Sequence, residues 1–232
     1  NDVYNVFSQY THTENMSLGD IKQQSAKKQN PLQAIIKSLS DVFIDIMPGI
    51  LAAALLMGIT GVLSKWDVVA NNETLYAINK LASLASNGIF AILPMAVCYS
   101  ATKRYGGKPI LGMIVGAIML DASLANAYSV GSGSATAEVI RILGFPIELV
   151  GFQGGIIIAL MMGFVVAKLD IFFDKKIPDV VKLLFSPLCT VFISTVLLFT
   201  IIGPVGRELS NGITGILIWV TQNLGAVGYM IF

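Results

Sequence analysis

Four polar side chains in otherwise apolar stretches are the first candidates for ligand chemistry: Asp121, Asn126, Tyr128 and Gln153. Asp121 interrupts an uncharged run that covers residues 109–120 and resumes up to residue 137. An ionisable group within a membrane costs at least about 2–3 kcal/mol and tends to face a cavity or a partner. Two interpretations stay open: Asp121 lines a ligand path or a helix contact, or the helix ends near Leu120 and Asp121 faces water.

The other three side chains carry amide or phenol groups that can hydrogen-bond to ligand hydroxyls. The alternative is that Asn126, Tyr128 and Gln153 satisfy backbone groups at helix ends. Both interpretations are kept. Asp121 and these three are the candidate substrate-binding residues.

Residue types for metal or nucleophilic chemistry are sparse. The single histidine, His12, lies in a polar segment, and Cys98 and Cys189 lie in apolar stretches without metal-ligand spacing. Cysteines in such surroundings are typical small buried hydrophobes. The sequence therefore predicts no metal site, no cofactor and no catalytic residue within this chain.

The composition indicates which elements must position these residues. Of the 232 residues, 55% are hydrophobic and only 12% are charged, and the net charge is +1; the mean hydropathy is +0.75. A soluble domain usually carries about a quarter charged residues. The near-neutral charge, without a basic stripe interleaved with aromatic residues, also argues against nucleic acid as a partner.

Uncharged runs place the predicted membrane helices. They cover residues 46–63, 81–102, 109–120, 149–167 and 183–206. About 20 apolar residues of helix cross a bilayer. The sequence therefore predicts an all-α integral membrane protein with five complete transmembrane helices, Pro94 kinking the second.

The segments that flank these runs have their own patterns. Residues 1–30 are polar and predict a linker. Residues 31–45 and 209–222 carry apolar side chains at helical spacing among polar ones, which predicts interfacial amphipathic helices. Residues 225–232 are apolar and predict the start of a sixth span.

Alternate loops differ in their lysine and arginine content. With five spans, eleven of these residues fall on the side of the N-terminus and four on the opposite side. Loops rich in Lys and Arg stay in the cytoplasm. The sequence therefore predicts a multi-pass protein of the bacterial cell membrane with a cytoplasmic N-terminus.

Three segments resemble a known family. The first is Asn30-Pro31-Leu32, then Ser40-Asp41-Val42-Phe43 and Met47-Pro48-Gly49. The second is Phe90-x-x-Leu93-Pro94, then Ser100-Ala101-x-Lys103-Arg104-Tyr105-Gly106-Gly107-Lys108-Pro109. The third is Lys175-Lys176-Ile177-Pro178-Asp179, then Ser186-Pro187 and Ile202-Gly203-Pro204-Val205-Gly206. In this order they are similar to the membrane subunit, enzyme IIC, of the phosphoenolpyruvate-dependent sugar phosphotransferase system, in its glucose/sucrose/trehalose branch.

The resemblance implies a domain organisation. Residues 1–30 correspond to the tail of a preceding IIB domain, and residues 31–232 to the first half of IIC, which is the dimerisation scaffold in that family. The resemblance implies uptake of a disaccharide coupled to its phosphorylation, with phosphorylated IIB and an upstream IIA protein as partners. The family's Gly-x-His and Gly-x-x-Glu-Pro motifs and the IIB motif Cys-x-Thr-Arg do not occur among these 232 residues, so we expect the chain alone to be inactive.

The sugar stays open between two types. Residues 118–131 look closest to trehalose-type subunits, whereas residues 30–57 look equally like sucrose-type ones. The chain departs from the family's pattern at Asp170, which lies near a position where family members often carry a glutamate.

One loop is the candidate docking surface for IIB. It contains Lys103, Arg104, Gly106, Gly107 and Pro109. Cations favour a phosphorylated partner, and glycines permit positive φ in a tight turn. The alternative is that the loop only anchors the chain at the cytoplasmic face.

Two glycine pairs at four-residue spacing, Gly112 with Gly116 and Gly151 with Gly155, allow close helix contacts and agree with a homodimer. The alternative is that they serve contacts within one subunit.

The rival function is a non-phosphorylating permease or a structural membrane bundle. A coupled permease should show paired carboxylates or broken helices at the membrane midplane, and only Asp121 qualifies.

Overall fold

The computed structural model of the chain describes residues 31–142 and 144–223. Its contacts divide the chain into two compact units, residues 1–41 and residues 42–232. Of the first unit, the described part is the helical stretch 31–41. The predicted linker at 1–30 and the predicted start of a sixth span at 225–232 lie outside the described residues.

The described residues form nine α-helices, two β-strands and one π-helical turn. The α-helices are α1 (Pro31–Leu63), α2 (Asp67–Asn71), α3 (Glu73–Ala91), α4 (Leu93–Arg104), α5 (Pro109–Ile118), α6 (Ala127–Gly131), α7 (Ile156–Lys176), α8 (Asp179–Leu197) and α9 (Gly203–Asn223). The strands are β1 (Glu138–Ile142) and β2 (Phe145–Leu149), and the π-helical turn covers Leu198–Ile202 between α8 and α9.

The described helices fit an integral membrane domain. Three stretches are long and apolar enough to cross a bilayer: Ile36–Leu63, Ile156–Lys176 and Asp179–Asn223. A fourth results if α3 and α4, bent by 45°, form one span. The third predicted span falls short, because α5 has 10 residues. That is about 15 Å of helix, half the ~30 Å thickness of the hydrocarbon core, and five complete spans are therefore not confirmed.

The bend between α3 and α4 lies where the sequence predicts a kink. Ile92 separates the two helices, and Pro94 occupies the first turn of α4. Proline is tolerated there because the N–H groups of a first turn have no partner inside the helix. The N–H of Ile92 still donates to the carbonyl oxygen of Gly88 at 3.2 Å, so the last turn of α3 keeps its backbone hydrogen bond up to the bend. The predicted kink is confirmed.

The prediction of an entirely helical fold is wrong at residues 138–149. Strands β1 and β2 pair antiparallel, with Glu138 opposite Leu149. Gly144, at the turn, has a φ of +88°, which glycine adopts without a steric cost. Leu149 is the last residue of a strand. The next helix therefore begins at Ile156 and not at residue 149, where the fourth predicted span starts. The β-branched residues Val139, Ile140 and Ile142, followed by Gly144, are the sequence signal for this hairpin.

Helices α4, α5 and α7 pack closely because glycines line their contacts. A Cβ at Gly112 would lie 2.6 Å from the carbonyl oxygen of Cys98, and one at Gly116 would lie 2.6 Å from the Cα of Met95. Both neighbours belong to α4 of the same chain. The first glycine pair thus serves a contact within one subunit.

The second glycine pair lies outside the helices. Gly151 and Gly155 precede α7. A Cβ at Gly151 would meet the side chain of Gln153, and one at Gly155 would lie 3.0 Å from the carbonyl oxygen of Phe152. The nearest neighbours of both positions thus belong to the loop before α7 and to the first turn of α7 itself.

The predicted amphipathic segment 209–222 is not a separate helix. Helix α8 continues through the π-helical turn into α9 and reaches Asn223 without a break. Pro204 is the second residue after this turn. A proline ring collides with the carbonyl group four residues earlier in a regular α-helix. The wider π-helical turn, in which the N–H of Gly203 reaches the carbonyl of Leu198, explains why the helix passes this proline.

Replacing Gly112 by alanine should destabilise the protein, because the new methyl group must push α5 away from α4. Overpacking of this kind costs about 1–3 kcal/mol. The matched control is Gly58→Ala in α1, where an added Cβ meets nothing within 4 Å. Thermal unfolding in detergent should show a lower Tm for Gly112→Ala than for Gly58→Ala. Equal Tm values would contradict the close α4–α5 contact.

Candidate functional site

The turn between α4 and α5 is a tight connection held by its glycines. Gly106 has a φ of +82°, as the sequence predicts for a glycine of this turn. Gly107 is needed for a different reason, since a Cβ there would lie 2.6 Å from the Cα of Ala167 in α7. The N–H of Gly107 donates to the carbonyl of Thr102 at 3.0 Å. We call residues 103–109 the basic turn.

A buried carboxylate fixes the basic turn to α7. Asp170 is 3% exposed and accepts a hydrogen bond from the backbone N–H of Lys108 at 2.8 Å. Its other oxygen lies 3.3 Å from the Nζ of Lys108. This N–H stands at the start of α5, where a negative charge also interacts favourably with the helix dipole. Asp170 therefore acts on the turn through both the backbone and the side chain of Lys108.

The network extends from α7 to α8. The Nζ of Lys108 lies 2.7 Å from Oδ1 of Asp174, and the same oxygen accepts a hydrogen bond from the hydroxyl of Ser186 at 3.1 Å. Ser186 is buried. One lysine thus joins the start of α5 to α7, and Asp174 links α7 to α8.

The pKa of Lys108 is raised, chiefly by its hydrogen bond to Asp174, while burial opposes the shift. A raised pKa in the folded protein means that the stabilisation is complete below the ordinary lysine value of about 10.4. It is lost only as the pH rises through the raised value. The ammonium group therefore stays charged and paired throughout the neutral range.

The other end of the basic turn is paired as well. The Nζ of Lys103 lies 2.8 Å from Oδ2 of Asp45 in α1, and both side chains are about half exposed. The hydroxyl of Ser100 donates to the carbonyl of Val42 at 3.0 Å, also between α4 and α1. Lys103 and Lys108 are thus held by carboxylates, so the basic turn does not present the full positive charge that its sequence suggests.

The structure places Asp121 just beyond the end of α5, in an exposed turn. Its Oδ1 accepts hydrogen bonds from the N–H of Ser123 at 2.8 Å and from the Ser123 hydroxyl at 2.5 Å. These bonds, the hydroxyl first, lower the pKa of Asp121 below its ordinary value. In this structure the carboxylate shapes its own loop.

The structure brings Asn126, Tyr128 and Gln153 together at the start of α6. Oδ1 of Asn126 accepts from the N–H of Tyr128 at 2.9 Å. Oε1 of Gln153 accepts from the N–H of Ala127 at 3.0 Å. The phenol oxygen of Tyr128 lies where a side chain on Gly154 would be. The two amide oxygens thus serve the backbone, as one of the two interpretations of these residues predicts.

Sequence reasoning missed two residues. The sequence presents Asp170 only as a departure from a family pattern, although a charge in an apolar helix four residues from Asp174 is a recognisable signal. The role of Arg207 is visible only in the structure, where its guanidinium lies 5.0 Å from the centre of the Phe152 ring. Among the described residues, no group of three or more His, Cys, Asp or Glu side chains could hold a metal ion.

The comparison with known families agrees with this architecture. Residues 40–232 match the family described as the phosphotransferase system, EIIC. The chain belongs to this family. Its helices therefore form part of an integral membrane EIIC domain.

Relatives of this EIIC chain carry sugar names. It is 35% identical over 241 residues to the sucrose-specific EIIBC component of Vibrio alginolyticus, covering 100% of this chain and 50% of that protein. It is 30% identical over 241 residues to the trehalose-specific EIIBC component of Bacillus subtilis strain 168, covering 100% of this chain and 51% of that protein. The chain thus spans about half the length of these relatives. No solved structure matches it significantly.

Replacing Asp170 by asparagine should loosen the basic turn. The amide keeps an acceptor for the N–H of Lys108 but removes the charge that faces the ammonium. Hydrogen bonds to charged groups contribute about 1.5–3 kcal/mol, so the free energy of unfolding should fall by about that amount. Chemical unfolding in detergent measures the change.

The matched control is Asp179→Asn at the start of α8. That side chain is 95% exposed and pairs only with Lys182, three residues away, at 3.3 Å. Its stability should fall by less than about 1 kcal/mol, because an exposed charge in the first turn of a helix contributes about 0.3–1 kcal/mol. Equal losses in the two variants would contradict the role of Asp170 as the anchor of the basic turn.

Proposed function

We propose that this chain is the first half of the membrane domain of a transporter that couples the uptake of a disaccharide to its phosphorylation. The observation that carries the proposal is the EIIC family match over residues 40–232, together with relatives named for sucrose and trehalose. Residues 1–30 are the tail of a IIB domain in this proposal, and residues 31–232 are the first half of IIC. The transported sugar is of the sucrose or trehalose type.

In this mechanism, a phosphorylated IIB domain donates its phosphate to a sugar hydroxyl. Such a step needs a base for the hydroxyl and cations near the transferred phosphate. The basic turn supplies the cationic surface, and its lysines stand in defined positions because Asp45, Asp170 and Asp174 hold them. Because those carboxylates offset the lysine charges, the turn acts through the geometry of its donors more than through bulk positive charge.

The orientation of the chain follows from the same residues. We propose a cytoplasmic N-terminus and several membrane crossings. Support comes from the eleven-to-four excess of lysine and arginine on one side, counted for five crossings. The contacts of Lys103 with Asp45 and of Lys108 with Asp174 agree with this assignment, because they join three segments expected on the cytoplasmic side.

A homodimer is also part of the proposal, and it depends on the resemblance alone. Gly112 and Gly116 are already used against α4 in the same chain, so they do not support it. Crosslinking in bilayers at a low protein-to-lipid ratio tests the dimer. A purely monomeric population would exclude it.

The orientation can be measured with single cysteines. Cys98 and Cys189 are first replaced by alanine, and cysteines are then placed at Lys176 and at Arg141. A membrane-impermeant maleimide added outside intact cells should label the Arg141 position and reach the Lys176 position only after the cells are opened. Labelling of both positions from outside would overturn the orientation.

The reaction itself is tested in the longer protein of which this chain is about half. Membranes with that protein, supplied with phosphoenolpyruvate, the general phosphotransferase proteins and the upstream IIA protein, should phosphorylate sucrose or trehalose. Membranes that contain only residues 1–232, without another enzyme II, should not. Phosphorylation by the short chain, or no phosphorylation of either sugar by the longer protein, would contradict the proposal.

A further inference from the structure

An open groove of about 660 Å³ lies between the end of α7 and the first half of α8. We call it the α7–α8 groove. Its lining includes Phe172, Phe173 and Lys176 of α7 and Val181, Phe185 and Cys189 of α8. The surface that these side chains present to the groove is apolar, so Lys176 contributes its methylene stem there. None of them belongs to the candidate substrate-binding residues or to the basic turn.

The length of the two helices places the groove in one half of the bilayer. Helix α7 has 21 residues, about 31 Å of helix, which matches the ~30 Å thickness of the hydrocarbon core. Its end at Lys176 therefore lies at one membrane surface. From Val181 to Cys189 the groove follows about 12 Å of α8, most of the ~15 Å that one leaflet contributes to the core. A groove of this depth and direction is suited to one acyl chain of a lipid.

Aromatic rings form the wall of the groove near the membrane surface. The ring centres of Phe172 and Phe173 lie 5.3 Å apart at an interplanar angle of 76°, which is the edge-to-face arrangement that aromatic pairs prefer. Within the described part of the chain, Phe172 is 51% exposed and Phe185 is 46% exposed. Both rings are thus available to pack against an acyl chain.

Lys176 supplies a cation at the mouth of the groove. The carboxylates nearest to it in the sequence are already paired, Asp174 with Lys108 at 2.7 Å and Asp179 with Lys182 at 3.3 Å. Among the residues that the structure describes, Lys176 forms no ion pair. A lysine whose stem lies on apolar surface extends its ammonium group toward the aqueous interface. Its charge there complements the phosphate of an anionic lipid headgroup.

We propose that the α7–α8 groove binds one anionic phospholipid, with an acyl chain along α8 and the phosphate group at the ammonium group of Lys176. A zwitterionic lipid has the same acyl chains but brings a second positive charge close to the lysine, so the site selects by charge. A polar soluble ligand finds no hydrogen-bonding surface in the groove. With the proposed orientation, the lipid belongs to the inner leaflet. The inference concerns the bilayer and does not depend on the transported sugar.

The test measures tryptophan quenching by brominated lipids in the longer protein of which this chain is about half. Every natural tryptophan is replaced by phenylalanine, and Phe185→Trp then places a reporter in the groove. The matched reporter is Phe192→Trp on the same helix, because Phe192 is 70% exposed and does not line the groove. The bilayers contain either brominated phosphatidylglycerol among unlabelled phosphatidylcholine or brominated phosphatidylcholine among unlabelled phosphatidylglycerol.

The groove reporter should show a preference of about fivefold for phosphatidylglycerol, which corresponds to about 1 kcal/mol for one lysine beside an anionic headgroup. The Phe192→Trp reporter should show none. Lys176→Gln should remove the preference of the groove reporter. Lys175→Gln, which takes the same charge from the same turn of α7 but does not line the groove, should leave it unchanged. Cys189→Phe fills the inner end of the groove and should also remove the preference.

Thermal unfolding in the same bilayers verifies that all variants are folded. The inference would be overturned by equal quenching of the groove reporter by the two lipids, by the same preference at Phe192→Trp, or by equal losses in Lys176→Gln and Lys175→Gln. A preference that survives Cys189→Phe would overturn it as well, because the lipid would then lie outside the groove. A groove reporter that neither lipid quenches would do so too, because protein would then cover the groove.

Sugar phosphorylation by the unaltered longer protein is a separate readout. A Lys176-dependent preference for phosphatidylglycerol, without phosphorylation of sucrose or trehalose, would uphold the lipid site and refute the proposed function. Phosphorylation of either sugar, without any lipid preference at the groove reporter, would do the reverse.

Discussion

The buried carboxylate of Asp170 constrains the basic turn more than any other single group among the described residues. An unpaired charge at this position would be expensive in a membrane protein, and Lys108 removes that penalty with its N–H and its ammonium group. The contact holds the start of α5 against α7. It also explains why Gly107 is needed, because the backbone of the turn must approach Ala167 closely enough for the bond to form.

Close packing of α4, α5 and α7 follows from the same geometry. Thr102 donates to the carbonyl oxygens of Cys98 and Gly163 at 2.8 and 3.2 Å, so its hydroxyl is satisfied between two helices. Gly112 and Gly163 provide the room for this approach. In a bilayer, where lipid tails are as apolar as leucine, such backbone contacts replace the hydrophobic effect as the source of helix association. The short α5 is thus stabilised by its neighbours, although its 10 residues make about half the thickness of the hydrocarbon core.

The opposite end of the helices is organised by a different contact. There the hairpin, the loop before α7 and the start of α9 meet around Arg207, which reaches Val150, Glu148 and Phe152 at once. One end therefore presents paired lysines on a rigid turn, and the other presents Arg207 in contact with the hairpin and with the loop before α7.

The sequence by itself determined the membrane class, the main apolar helices and the kink near Pro94, because these depend on the local density of charge and on the geometry of proline. Its ordered motifs also determined the family. Only the tertiary structure decided the partners of the side chains. The pairing of Lys108 with Asp170 and Asp174 joins residues about 60 positions apart, as does the bond from Arg207 to Val150. The same limit applies to the pair Gly112 and Gly116. Its four-residue spacing is the same whether the neighbouring helix belongs to a second subunit or is α4 of the same chain. Such contacts depend on which helices meet in space, and a local pattern of residues does not contain that information.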